Sequence, residues 1–590
     1  MKKINYAAIG VAAALAMTLS ACNMDASTLP TANGAETQQT TEEIAAAESS
    51  APESAQTETE TQTESKADAK TETGTANESE TQTAAAETPQ SGVTFTFTDS
   101  GVTASGGSGY EIDGTALKIT ESGVYTVTGT CADGSITVKK ETTGVTLVLS
   151  DLTLSSSEGA ALSCNKGSEV TLSVSGTVTL TDAEDPADED SADTEVADAF
   201  DGAAIKVKSG ASLTVTGSGV LNVDGSAVKN GIKGAEEAVI TVSGATVNIK
   251  AANKGLACDG ELVITGGQLN IQSDDDAIHS ETDVTVTGGT VYIRTGDDAI
   301  HAEEVLTIGV KDGASGPRIV IETCEEGLEA GKIYLYSGSG SIRASDDGVN
   351  AASDVTMDEI AIYVYGGEWT VNADGDGLDA GGDSTANRGG SIYLYGGTVE
   401  VYGSANSGNS ALDYDGACVS DGGTLLAVGM TGMAQSPSSG VSVTFGSGGL
   451  MGGMGGFGGQ QSGGSVSIQS GSSIEIRDAS GNTLCTATGV KSANSVIFAS
   501  AELTESESYT LYVNGTAAAT TTAAAGTGMG GMMGGMGGFG GQMPGQGGFN
   551  SQTPAQGGEQ GQTPQMPGQG GFGGQRPGGG QRPGSAGSAS

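Results

Sequence analysis

The chain has 590 residues, with 72 acidic against 24 basic side chains and a formal net charge of −48. That excess argues against nucleic acid as a partner, because its phosphates would be repelled, and suits a cation-binding or cell-surface protein. Ninety-eight glycines against nine phenylalanines and one tryptophan exclude an ordinary packed globule and suit many short elements joined by tight turns.

In chain order, MKKINY supplies a charged start, and AAIGVAAALAMTLS is an apolar run too short for a comfortable membrane span. LSAC at 19 to 22 resembles a bacterial lipobox, so residues 1–22 are expected to be a lipoprotein signal peptide ending at a lipidated Cys22. Diacylation there would hold the chain on the extracellular face of the bacterial cell membrane, its only membrane attachment. An ordinary secretory signal with a chance cysteine is the alternative. Residues 23–90 are acidic and Thr-rich with no aromatic residue, and predict a disordered tether. Its root-mean-square reach is about 45 Å before self-repulsion. The other cysteines, Cys131, Cys164, Cys258, Cys324, Cys418 and Cys485, are scattered without CxxC spacing and are expected to be buried single thiols.

Residues 91–515 are strand after strand. VTLVLSDLTL, SLTVTGSGVLNV, AVITVSGATVNI and ELVITGGQLNI alternate apolar and polar residues, the period of a pleated strand with one buried face. The aliphatic residues Ile205, Ile232, Leu256, Ile278, Ile300, Leu328, Val349, Leu378 and Leu412 recur at intervals of 27, 24, 22, 22, 28, 21, 29 and 34. The unit near 22 residues holds three short strands, and extra residues fall at turns, as in IGVKDGASGPR. Constant rungs with insertions confined to loops predict an all-β solenoid, a parallel β-helix. The acidic run at 182–198 and the Gly/Met-rich stretch at 448–465 read as loops, and the Gly/Met/Gln-rich residues 516–590 as a disordered tail.

The sequence DDAIH occurs at 275–279 and again at 297–301. Because coils stack about 4.8 Å apart, equivalent positions form columns. One column reads Lys254, Asp276, Asp298, Glu326, Asp347, Asp376; the position before it reads Asn253, Asp275, Asp297, Glu325, Asp346, Gly375, with Asp374 beside the glycine. Each like-charge neighbour costs about 0.9 kcal/mol in bulk water and several-fold more at a protein surface. Bound calcium, which takes six to eight oxygen ligands, offsets such a penalty. Solvated acids that simply favour tight turns are the competing reading. His279 and His301 share a column and are expected to be a turn-edge ladder without catalytic purpose; no catalytic residue is assigned.

Three strands, IYLYSG from 333, IYVYGG from 362 and IYLYGG from 392, align in successive coils. With Ile333, Ile362 and Ile392 inward, Tyr334, Tyr336, Tyr363, Tyr365, Tyr393 and Tyr395 face outward as a flat aromatic platform suited to stacking on sugar rings. Aromatic ladders also stabilise sheets without a ligand. Trp369 aligns with inward Val399 and is expected in the core.

The DDAIH coils, the TGGTVYI and YGG strand ends and the lipobox together resemble the bacterial carbohydrate-binding β-helix proteins of cellulolytic clostridia, over about 200 to 420. That resemblance implies a right-handed parallel β-helix similar to pectate lyases, calcium, and binding of acidic plant polysaccharides such as polygalacturonate, and of cellulose. It assigns calcium to Asp275, Asp276, Asp297, Asp298, Asp346 and Asp347; Glu325–Glu326 and the split Asp374/Asp376 depart from strict DD but are included as candidate ligands. The expectation is a non-catalytic, monomeric binder that uses calcium to reverse the local sign of its charge. A calcium-rigidified adhesin or surface spacer is one alternative. A calcium-dependent lyase with Arg294 or Arg343 as base is another, disfavoured because Arg294, Glu322 and Arg343 fall in one self-neutralising column.

Overall fold

The computed structural model describes residues 92–183, 202–227, 229–353, 355–381, 389–446 and 466–526. The expected signal peptide with Cys22, the tether, the acidic run from 184, the 448–465 loop and the tail from 527 lie outside the described residues.

Every regular element among the described residues is a strand. The strands pair in parallel along three faces of a solenoid. On the first face the rungs run Leu117, Ile136, Leu162, Ile205, Ile232, Leu256, Ile278, Ile300, Leu328, Val349, Leu378 and Leu412, each opposite the next, which makes eleven turns. All eight intervals read from the sequence are therefore true coil lengths. The second face stacks Leu213, Ile240, Leu262, Val284, Leu306, Ile333, Ile362 and Ile392. The third stacks Leu269, Val291, Ile319, Gly340, Trp369 and Val399.

Inward residues of the three faces meet in one core. Each fully buried Leu, Ile or Val there contributes about 1.5–3 kcal/mol. Trp369 is in that core as expected, opposite Val399, and its Nε1 donates to the Gly366 carbonyl at 3.0 Å. Glycine at 340 makes the room: a Cβ there would lie 2.3 Å from Trp369 Cε3. Five of the six cysteines are buried, Cys485 is partly exposed, and none of the six is paired.

The ends are closed by antiparallel pairing. At the start, the hairpins Val93–Thr98 with Gly101–Ala104 and Tyr110–Asp113 with Ala116–Ile119 cover the first coils. At the other end the structure corrects the expected domain limit of 515. Parallel coiling stops at Thr424–Gly429, whose open edge pairs antiparallel with Ser495–Ser500. The strands Ser473–Asp478, Thr483–Thr488, Ser508–Val513 and Thr516–Thr522 then form a separate antiparallel sheet. Phe445, Ile474, Ile476, Phe498 and Leu511 build a second core there. The expected limit fell inside a hairpin: Asn514 and Gly515 both have positive φ, 52° and 74°, and join Ser508–Val513 to Thr516–Thr522, so the sheet continues past 515.

Candidate metal ladder and carbohydrate face

The acid pairs occupy the turn that enters the first face. The second acid of each pair tucks inward: Asp276 and Asp298 are buried, Glu326, Asp347 and Asp376 half-buried. Several accept a backbone N–H from the next coil, Asp347 from Asp376 at 2.6 Å and Asp376 from Ser410 at 2.5 Å. These carboxylates therefore stitch the turns together, part of what makes acids suitable there. The first acids drift outward, from half-buried Asp275 and Asp297 to exposed Glu325, Asp346 and Asp374.

The ladder begins at a cation. Lys254 forms an ion pair with Asp276 and lies 3.6 Å from Asp275. Beyond it three sets of side chains hold ligand atoms within 4.8 Å of one another: Asp275, Asp276 and Asp297; Asp276, His279 and His301; Asp298, His301 and Glu329. Four of the ten predicted acids thus converge. Glu325, Glu326, Asp346, Asp347, Asp374 and Asp376 continue the columns without entering such a set among the described residues. Asp374 instead meets Lys491 of the C-terminal region at 2.9 Å, and Asn350 donates to Glu326 at 2.8 Å. Gly375 leaves room for the acids below it, since a Cβ there would lie 2.3 Å from Asp347 Oδ1 and 2.4 Å from Asp346 Oδ1.

Glu329 and the two histidines are members of these sets that the acid-pair pattern missed. Their signal was the column one residue after the anchor. The imidazoles meet edge to face at 5.0 Å, and His279 Nδ1 lies 2.8 Å from Asp276. The all-carboxylate set suits calcium, whereas sets containing imidazole suit a borderline divalent ion better.

Burial and like charge dominate the ladder's electrostatics. Burial, then the charges of Asp298 and Asp276, raise Asp297 to about 6. Burial raises Asp347 to about 6 and Glu326 to about 7, with neighbouring acids adding to it. Asp379, in the column after the anchor, rises to about 8 through burial beside Asp347 and Asp413. Burial and a hydrogen bond with Asp298 push Glu329 up to about 10. Asp276 goes the other way: burial would raise it, but the His279 hydrogen bond and Lys254 hold its carboxyl well below the usual range. The ladder is satisfied at Lys254 and short of positive charge further along.

The six tyrosines stand on the second face in two columns. Rings of neighbouring coils are 4.8–5.3 Å apart and near parallel, and the two rings of each strand are 5.7–6.1 Å apart. Parallel phenols cannot approach to 5 Å in one plane, because their ring hydrogens would collide. They overlap like tiles, so the expected flat platform is a shingled one that presents edges, hydroxyls and part of each ring face. Tyr365 and Tyr395 are the most open, at 39% and 40% exposure, and the other four are half-buried. Burial and a hydrogen bond with Glu359 raise the Tyr363 phenol.

The insertion after Ile308 has a role that its reading as a plain turn missed. With Arg318 it walls a groove of about 740 Å³ that reaches Tyr336 and Tyr365. Arg318 is held by Tyr292, donating to its hydroxyl at 2.9 Å. Arg294, one candidate base, is engaged by Glu322, its Nε donating at 2.5 Å. The acid ladder lies at the turn entering the first face and the tyrosines on the second, so the two candidate sites are separate.

Residues 113–361 match a family model described as carbohydrate-binding domain-containing protein. A solved structure of the polysaccharide lyase-like protein from C. thermocellum, a gadolinium derivative, is 26% identical over 39% of this chain and 90% of that one, with a TM-score of 0.33. No curated protein matches. The matched span holds the ladder from Asp275 to Asp347 and the first two tyrosines, and supports the resemblance to a carbohydrate-binding family.

Proposed function

We propose that the chain, anchored through Cys22 as a monomer on the outer face of a bacterial membrane, binds polysaccharide without cleaving it and holds calcium in its acid ladder. The observation that carries the reading is the shingled array of six tyrosines beside an open groove, in a chain whose coils match a carbohydrate-binding family. Ring faces stack on pyranose C–H groups while phenol hydroxyls bond to the sugar's oxygens. Asp275, Asp276 and Asp297 would hold the calcium, which adds to the single charge that Lys254 brings to these three carboxylates. Calcium there would also let the ladder accept the carboxylates of an acidic glycan such as polygalacturonate. The engagement of Arg294 by Glu322 argues for binding over eliminative cleavage, because a general base needs a group free to reach a proton.

Calorimetric titration with oligogalacturonate, in calcium and again in EGTA, with an assay for unsaturated products, tests this. Calcium-dependent heat without products is expected. Products would make the protein a lyase. Heat in neither condition would remove the acidic glycan and leave calcium as the stiffener of a surface spacer.

A further inference from the structure

The tyrosines continue two columns that start seven coils earlier. Thr146, Thr171, Thr214, Thr241, Thr285 and Thr307 lead into Tyr334 on the outer side of the second face, interrupted once by Val263. The neighbouring column runs through Ser173, Thr216, Ser243, Thr265 and Thr287 towards Tyr336. From Thr146 and Val148 to Tyr393 and Tyr395, seventeen of twenty positions carry a hydroxyl and none carries a charge.

The fold does not require this. The outer column of the first face carries Lys206, Lys233, Glu329 and Asp379; on the third face one outer column carries Asp224, Lys250 and Arg294, and the other is uncharged from Asn222 to Thr370 and ends at Glu400. Threonine's preference for strands acts equally on all three faces. Charges on the second face are held to its margin, at Glu169, Glu261, Asp283 and Lys332. In a chain of net charge −48, a ten-coil strip without a charge marks what it can receive.

We infer that the carbohydrate-binding surface is this whole strip, from Thr146 to Tyr395, and that it takes an uncharged, extended pyranose chain lying along the solenoid axis. The inference rests on the polysaccharide-binding reading above and adds the extent, direction and charge of its surface. Ten coils are nine steps of about 4.8 Å, about 43 Å of track. Threonine offers a methyl group and a hydroxyl that both donates and accepts, matching a sugar chain whose ring C–H groups alternate with hydroxyls. The tyrosines and the groove beside Tyr336 and Tyr365 form its high-affinity end. An anionic chain would meet the field of the surrounding acids, and Lys332 at the margin of this face is already paired with Asp358. Contact here therefore needs no calcium and is insensitive to salt.

The test measures binding of the intact protein to cello-oligosaccharides of increasing length and to amorphous cellulose, in EGTA, at low and high salt. Affinity should rise with length well beyond the three coils that carry tyrosine. T241K/T285K should weaken polymer binding at least fivefold and leave the shortest oligosaccharides unaffected. T241V/T285V, which keeps strand propensity and adds no charge, should weaken polymer binding less but measurably, and thermal melting verifies that both variants fold. If both threonine variants bind polymer like the parent while Y365A/Y395A does not, the surface is the tyrosine array alone; that overturns this inference and leaves the proposed function standing. If neither oligosaccharide nor polymer binds the parent, and oligogalacturonate does not either, both fall together. A requirement for calcium on this face would also overturn it.

Discussion

Gly340 and Trp369 are one decision made by two residues. The indole occupies the volume above Gly340, so Gly340→Ala forces overpacking at 2.3 Å and should cost about 1–3 kcal/mol, read as a lower urea midpoint. Trp369→Val should remove most of that cost in the double variant, because the clashing ring is gone. On the outer surface the test is of binding. Tyr365→Ala or Tyr395→Ala removes the most open rings, and at about 0.5–1.5 kcal/mol per aromatic contact each should weaken sugar binding roughly 2- to 10-fold with little change in melting temperature. The inward place of Trp369 was legible from its alignment with Val399. The tilt of the tyrosines was not, because period two says which side of the strand a residue takes and nothing about the plane of its ring.

The acid ladder sets the pH behaviour of the first face. Asp297, Asp347, Glu326 and Asp379 hold their protons to about pH 6, 6, 7 and 8 in the fold, against ordinary values near 4 in the unfolded chain. A raised carboxyl contributes stability that is complete below its unfolded pKa and lost as pH climbs through the folded one. His301, raised chiefly by its Asp298 hydrogen bond against the opposing effect of burial, acts in the same direction at higher pH. The metal-free protein should therefore melt at progressively lower temperature from pH 5 to 8, by calorimetry in EGTA. Saturating calcium should flatten the profile, each site contributing about 2.7 kcal/mol at 100 times its dissociation constant. Asp276 has the opposite sign and contributes only to the acid limb, lost as its carboxyl is protonated. Asp347→Asn separates repulsion from ligation: its amide oxygen can still accept the Asp376 N–H and it lies outside the converging sets, so it should raise the melting temperature in EGTA at pH 8 and leave the gain on adding calcium unchanged.

At the scale of the molecule, a parallel solenoid leaves an open strand edge at each end, and an open edge templates aggregation. Here Ser495–Ser500 covers the last coil, and the antiparallel sheet behind it brings its own core. Deleting residues 466–526 should leave Thr424–Gly429 unpaired and turn a monodisperse protein into a concentration-dependent oligomer by light scattering. Lys491→Ala is the milder probe: it frees Asp374 and leaves the cap's core intact, so the protein should stay monodisperse. The start of this cap was the least legible boundary. Its strands have the same alternation as the coils, and the turns that reverse the chain, at Gly481 and at Asn514–Gly515, lie inside the cap and not at its start.

The order of the coils was determined by the sequence alone, because a solenoid's neighbours in space are its neighbours in chain. One repeated aliphatic position therefore aligned Ile205 through Leu412 without error. Stacking of the acids and of the tyrosines followed from the same register. Only the tertiary structure decided which acids share a site, since that depends on how far each carboxylate leans from its turn, on Lys254 at one end and on Lys491 arriving from more than a hundred residues away. It also separated the ladder from the tyrosines: the turns between strands place them on different faces, an angle that no linear period records.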